Sequence, residues 1–373
     1  MGSKENMLKA MEGGLLGNFP VVIPYVGIFL RDHWEEATDQ PWWAFHDPNL
    51  EAWIKVEEDL LKRLDMDWVT CSFCPTREWR ENHRIECWEN RVFILDTKSG
   101  VRQEIRRDPI GGSHIMIEKE PSIESMEDID TQIPPLYKKD LIRSGTLDYT
   151  KLVVNRFGSE KFICAGIGTP YWEALCNYFG FKGMMMNMIR RSELVERTLE
   201  RLMENSLQKI RAYAEAKVDG IWIEECLSSA TEISLDHFKR FVLPYNEKIF
   251  SEMRKLGIKS IYYPCGDVHD RLELMINTNP DCLSLEESKK GFEIDISWVG
   301  EVVSGRTCIF GNLDSIRILQ NGTRDELRME IRRQLEVGFK HGRFVMSLGS
   351  PVTPLTPLSR VAEFIDIVRQ ESR

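Results

Sequence analysis

Short runs of Val, Ile, Tyr, Trp and Phe recur along the chain, and the stretches between them place apolar residues three and four positions apart. Eight runs read as buried strands, at 21–25, 68–72, 162–166, 220–225, 260–265, 282–286, 307–311 and 344–348. A helical pattern follows each. The longest covers 192–216, where Leu194, Val195, Leu199, Leu202, Met203, Leu207 and Ile210 share one face behind Ser192 as the N-cap. Strands alternating with helices predict parallel pairing through right-handed crossovers, and eight such units close into a (β/α)8 TIM barrel. The expected fold class is therefore α/β, as a single domain over residues 1–373.

One region breaks the alternation. The segments 91–95 and 101–106 are strand-like, and Asp96-Thr-Lys-Ser-Gly100 between them carries turn chemistry. This predicts a β-hairpin insertion at about 85–110, after the second strand. The following 109–136 stretch holds Gly111, Gly112, Pro121, Pro134 and Pro135 among many acids, as expected of chain that wraps the surface before the barrel resumes.

Composition narrows the function classes. With 49 Lys+Arg against 59 Asp+Glu the net charge is −10, which argues against a nucleic-acid partner, whose phosphates need clustered cations. No apolar stretch approaches the roughly 20 residues that span a bilayer. Lys4, Glu5, Lys9 and Glu12 stand where a signal peptide would need an apolar core, so a cytoplasmic location is expected. The nine cysteines form no regular framework and read as reduced thiols. Cys71-Ser-Phe-Cys74 lacks the second pair that a zinc half-site would need.

Candidate chemistry gathers at the strand ends, where an α/β barrel builds its active site. Cys265 closes the run Ser260-Ile-Tyr-Tyr-Pro-Cys265, placing a soft nucleophile or metal ligand just beyond a strand. Glu224 and Glu225 end Ile221-Trp-Ile-Glu-Glu225; strand side chains alternate, so only one should face the mouth, and Glu225 is the expected one. Glu286 and Glu287, Asn312 and Asp314, and Ser347 and Ser350 add polar groups at the later strand ends. Gly311 and Gly349 fit turns or close backbone approach. Asp267 and His269 lie near Cys265 in sequence. Seven of the ten tryptophans precede residue 90, and Trp42 and Trp43 follow the first strand, where aromatic faces could line a pocket for a flat ligand. No phosphate-binding, dinucleotide-binding or Ser-His-Asp spacing is present.

Several segments resemble, in order, the uroporphyrinogen decarboxylase superfamily, which includes the decarboxylase and methyltransferases that serve corrinoid proteins. Gly168-Thr-Pro-Tyr-Trp172, Phe238-Lys-Arg-Phe-Val-Leu-Pro-Tyr245, Gly311-Asn-Leu-Asp314 and Ser347-Leu-Gly-Ser-Pro-Val-Thr-Pro-Leu-Thr-Pro357 carry the likeness. The resemblance implies the same barrel. It departs from the decarboxylase branch: Cys74 stands at that branch's Asp, Ser350 at its late His, and of its early arginine signature only Arg31 remains. The methyltransferase branch carries an acid, a His-x-Cys and a later Cys as zinc ligands. Glu225 and Cys265 match that set, while Tyr263 and Ser350 replace two of its members.

The resemblance implies a demethylase component that moves a methyl group from a small methylated donor to the cobalamin of a separate corrinoid protein. The aromatic content suggests a methoxylated aromatic as that donor. Glu225, Tyr263 and Cys265 are the expected reacting groups, and zinc, held by Glu225 and Cys265 as an incomplete set, is a candidate Lewis acid. Trp43, Cys74, Tyr171, Tyr262, Asn312 and Ser350 are the expected substrate-binding residues. The alternatives are a decarboxylase that would need inward guanidiniums from Arg31, Arg77 or Arg80, and a non-catalytic ligand-binding barrel.

Overall fold

Seven of the eight apolar runs become strands of one parallel sheet. The computed structural model describes residues 2–14, 18–111, 120–289 and 291–372. Strand β1 (Trp68–Cys71) precedes the insertion strands β2 (His83–Trp88), β3 (Arg91–Asp96) and β4 (Arg102–Ile105). The barrel resumes with β5 (Phe162–Gly168), β6 (Gly220–Glu225), β7 (Lys259–Pro264), β8 (Cys282–Ser284), β9 (Cys308–Phe310) and β10 (Phe344–Val345). Its sheet order is β1-β5-β6-β7-β8-β9-β10, every neighbour parallel.

The eighth run closes the ring without becoming a strand. Val21 bridges Met346 in parallel. Met346 N donates to Pro20 O at 2.8 Å, and Val22 N donates back to Met346 O at 3.0 Å. On the other side Asp67 N donates to Val21 O at 3.1 Å, so this segment lies between β10 and β1. The expected strand at 21–25 is thus shorter than its apolar run. Pro24 has no N–H to give a ladder, and Tyr25 adopts a left-handed φ of 54° that turns the chain into the helix Val26–Asp32.

The expected helix at 192–216 is Ser192–Glu215. Ser192 does not cap it: Arg191 holds the N-cap position, and Ser192 Oγ accepts Arg240 Nη2 at 3.0 Å instead. The expected hairpin is the antiparallel pair β3–β4, and β2 adds a third strand that the pattern did not predict. Its sequence, His-Arg-Ile-Glu-Cys-Trp, is too polar to read as buried, and ion pairs such as Arg102–Glu86 at 2.9 Å lace its exposed face. In the expected surface stretch, Ser125 opens the helix Met126–Gln132 with a reciprocal capping box. Gly112 and the residues to 119 lie outside the described residues. Among the described residues no helix is long and apolar enough to cross a membrane.

Candidate functional site at the barrel mouth

The pleat of β6 decides which side chains reach the mouth. The Trp222 ring meets the rings of Trp68 at 5.9 Å, Tyr25 at 6.0 Å and Tyr263 at 4.9 Å, so its face of the strand is the barrel interior. Alternation puts Glu224 on that face and Glu225 on the opposite one. Glu224 Oε1 accepts the Tyr25 hydroxyl at 3.1 Å and the Cys226 thiol at 3.6 Å. Glu225 is wholly buried beneath the helix Leu243–Leu256, where Oε2 accepts Asn246 Nδ2 at 3.3 Å. The expectation that Glu225 faces the mouth is therefore corrected: the carboxyl there belongs to Glu224. Burial pushes Glu225 up to about 8, against the hydrogen bonds of Thr169, Asn246 and Ser228. Burial also raises Glu224 above its usual value, and the Tyr25 and Cys226 hydrogen bonds only partly offset it.

On β7 the same parity separates the two tyrosines. Tyr263 stacks on Trp222 at an interplanar angle of 27°, and its hydroxyl donates to Gly349 O at 2.7 Å. Tyr262 faces the helix layer, accepting Asn246 Nδ2 at 3.2 Å and packing on Phe250. Tyr262 is thus not in the mouth, contrary to its expected substrate-binding place. Cys265 N donates to Glu225 O at 2.8 Å, which continues the β6–β7 register and sets Cys265 beside Cys226. Cys265 is partly exposed while Cys226 is buried. The neighbouring Cys226 thiol acts to lower the Cys265 pKa, but burial and the Glu286 and Glu224 carboxylates leave it above the usual thiol value. For Cys226 the neighbouring Cys265 and burial both act upward.

The remaining expected residues divide. Asn312 Nδ2 donates to Glu286 O at 3.1 Å and Ile294 O at 2.9 Å, bracing the loop after β8. The buried Tyr171 hydroxyl donates to Leu227 O at 3.0 Å and braces the loop after β6. Ser350 follows Gly349, which packs so tightly on the β8 end that a Cβ there would lie 2.3 Å from Glu287 N. Cys74 is buried in the loop after β1, its Sγ 3.4 Å from both Gly145 O and Thr146 O. Trp43 packs edge-on against Trp42 at 5.7 Å. His269 pairs with Asp267 at 2.7 Å and stacks on Trp298.

Two expectations about ligands meet this geometry. A zinc ion shared by Glu225 and Cys265 does not fit, because the carboxyl is engaged on the helix side of the sheet and the thiol on the mouth side. Among the described residues no three His, Cys, Asp or Glu side chains are placed to hold a metal. The guanidiniums that a decarboxylase would turn inward carry carboxylate partners of their own. Arg31 pairs with Asp32 at 2.7 Å, and Arg77 and Arg80 both pair with Asp148, at 2.9 and 2.5 Å.

A parallel β/α ring with acid, thiols and aromatic rings at its carboxyl end defines the class: a TIM-barrel protein with a strand-end site. Residues 111–371 match the uroporphyrinogen decarboxylase (URO-D) family, and the chain belongs to it. Methylcobamide:CoM methyltransferase MtbA of Methanosarcina mazei is 22% identical over 249 residues, which cover 66% of this chain and 69% of that protein. Methylcobamide:CoM methyltransferase MtaA of Methanosarcina barkeri is 26% identical, over 59% of this chain and 62% of its own length. The uroporphyrinogen decarboxylase of Thermus thermophilus is 28% identical over 49% of this chain and 50% of that protein. The chain thus spans between half and just over two thirds of these relatives. The structure of a methyltransferase from Methanosarcina mazei superposes with a TM-score of 0.72 at 22% identity, covering 99% of both chains, and shares the fold.

Four residues of this site were not singled out from the sequence: Tyr25, Trp222, Glu224 as the inward acid, and Cys226. Cys226 had a local signal, since it follows the last acid of β6 just as Cys265 follows the last residue of β7.

Proposed function

We propose that this chain is the demethylase component of a corrinoid-linked methyltransferase system, moving a methyl group from a methoxylated aromatic to the cobalamin of a separate corrinoid protein. The observation that carries the reading is Glu224, held by the Tyr25 hydroxyl and the Cys226 thiol at a partly exposed mouth floored by Trp222 and Tyr263. The corrinoid would supply the nucleophile that takes the methyl carbon as the carbon–oxygen bond breaks. This chain's part is to orient the ring and to give the departing oxygen a proton.

Glu224 suits that part because burial keeps its proton on more of the time than in water. Tyr25 fixes the carboxyl and can pass a proton back to it. Trp222, Tyr263 and Tyr25 pack edge to face or stacked and give the mouth a flat apolar floor beside the reacting methoxy group. In the test, the purified chain is mixed with a reduced corrinoid protein and a set of methoxyarenes. The expected result is the absorbance of the methylated corrinoid together with one equivalent of phenol. If no methoxyarene gives either product, the donor class is wrong.

A second reading rests on the relatives named methylcobamide:CoM methyltransferases, in which the methyl would leave the corrinoid for a thiol. The same mixture, started from methylated corrinoid and the CoM thiol, distinguishes the two: loss of free thiol without any methoxyarene turnover would favour this direction.

A further inference from the structure

A cavity of about 340 Å³ lies beside the mouth, at the carboxyl end of β1. Thr70 and Ser72 form its strand side, and Phe45, Trp53 and Tyr149 wall it with aromatic rings. The rings are mutually fixed: Phe45 meets Trp53 at 5.5 Å and 84°, and Trp53 meets Tyr149 at 5.0 Å and 62°. Trp53 Nε1 is already spent on Asp47 O at 2.9 Å, so the indole presents carbon surface. Val26 and Gly27, the next lining residues, begin the helix that Tyr25 caps, so cavity and mouth share one wall.

Glu57 also lines this cavity. It sits on the inner face of the helix Leu50–Arg63, among Trp53, Ile54, Val56 and Leu60, where the pattern calls for an apolar residue. Its Oε1 accepts the Tyr149 hydroxyl at 3.1 Å, and among the described residues no ion pair reaches it. A carboxyl has about four acceptor positions, and a buried polar group in a settled core is normally satisfied by its surroundings. Here one neutral hydroxyl is the partner, and the rest of the carboxyl borders empty volume. Burial pushes Glu57 up to about 7, the Tyr149 bond opposing it.

We propose that this cavity is a recognition site for a phenol: the aromatic ring stacks among Phe45, Trp53 and Tyr149, and its hydroxyl donates to Glu57. Apolar aromatic walls select a flat ring, and a single acid with no cation beside it selects a hydrogen-bond donor and rejects a carboxylate. The inference deepens the methoxyarene reading by naming the ring's second substituent, and it rests on that reading for its place in the reaction.

The test measures binding by calorimetry to the full chain without any corrinoid protein. The probes are 2-methoxyphenol, 1,2-dimethoxybenzene, 2-methoxybenzoate and benzyltrimethylammonium. A site built around a substrate hydroxyl penalises the analogue that lacks it, so 2-methoxyphenol should bind at least about tenfold more tightly than dimethoxybenzene, with methoxybenzoate weakest. E57L should abolish that preference, and E57Q, which keeps an acceptor, should retain part of it. The wild-type ranking stands by itself if E57L fails to fold. Equal binding of the phenol and its methyl ether, tighter binding of the ammonium, or no binding at all overturns the proposal. A Glu57-dependent phenol preference without methyl transfer would leave this site standing and remove the proposed reaction. Methyl transfer whose KM is unmoved by E57L would do the reverse.

Discussion

Glu224 and Glu225 are adjacent, and the pleat sends their carboxyls to opposite sides of the barrel wall. That separation makes their substitutions distinguishable. E224Q removes the proton donor proposed for the leaving oxygen, and general acid catalysis is worth roughly 10²–10⁴ in rate, so kcat should fall by at least about 10²-fold with little change in KM. An unchanged kcat in single-turnover measurements would take Glu224 out of the reaction. E225Q should act on stability instead. Its carboxyl moves from its ordinary value of 4.5 to about 8 in the fold, so between those values the native state holds a proton that the unfolded chain releases. Stability contributed by the neutral acid is therefore complete below about 4.5 and is lost as pH rises through about 8. At about 1.4 kcal/mol per unit, the wild type should weaken by a few kcal/mol over that window, while the difference between E225Q and wild type should move in the variant's favour. Urea melts from pH 5 to 9 measure it, and parallel pH profiles would show that Glu225 is not the buried acid responsible. Neither outcome could be read from the sequence. The dipeptide ends a clear strand, but its parity is fixed by Trp222 meeting Trp68 and by Asn246 arriving from a helix about 20 residues on, and both are tertiary contacts.

At the scale of elements, the strands were legible wherever burial on both faces left continuous Val, Ile and aromatic runs, as in parallel sheets generally. β2 was not legible, because its stability comes from pairing with β3 and from cross-strand ion pairs rather than from an apolar face. Glu57 leaves a trace in the sequence: an acid on the apolar stripe of an amphipathic helix is a conflict between local pattern and burial, and such conflicts concentrate at functional positions. Loop junctions depend on close approach, which Gly349 illustrates. It carries the carbonyl that Tyr263 uses and lies against the β8 end, and a Cβ would meet Glu287 N at 2.3 Å. Gly349→Ala must displace one strand end, at a cost of about 1–3 kcal/mol as for other overpacked sites. It should also loosen Tyr263 and so lower methyl transfer. A variant with wild-type melting would mean the loop yields freely. In the outer helix layer, Thr323 and Glu326 form the capping box of the helix Arg324–His341, and T323A should cost about 1 kcal/mol in urea melts.

For the whole molecule, ring closure is the feature the strand count implied but the pattern could not locate. Eight runs suggested eight strands, yet the first supplies a single bridging residue, and the seam depends on one side chain. Asp67 Oδ2 accepts Val21 N at 2.7 Å and pairs with Arg369 Nη2 at 2.9 Å, while Ser3 Oγ donates to Oδ1. One buried carboxylate thus ties the segment that closes the barrel to the start of β1, to the first helix and to the last helix, Leu358–Glu371. These partners are far apart in sequence, so the clamp orders chain that would otherwise contribute entropy to an open seam. D67A removes every acceptor at once, leaving the Val21 amide buried without a partner and Arg369 without its counter-charge. An orphaned buried donor costs about 1–3 kcal/mol and a broken buried pair about 3–5. Because Arg369 keeps partial access to water, the lower half of the span from about 1 to about 5 kcal/mol, about 1–3 kcal/mol, is expected. The loss should be local before it is global. Hydrogen exchange at Val21 and Val22 should accelerate well ahead of the β6 and β7 amides, because the mouth-forming strands lie on the opposite side of the ring from the seam. Uniform acceleration across the barrel would instead mean that the seam and the site unfold as one cooperative unit, with no separate closure at Asp67.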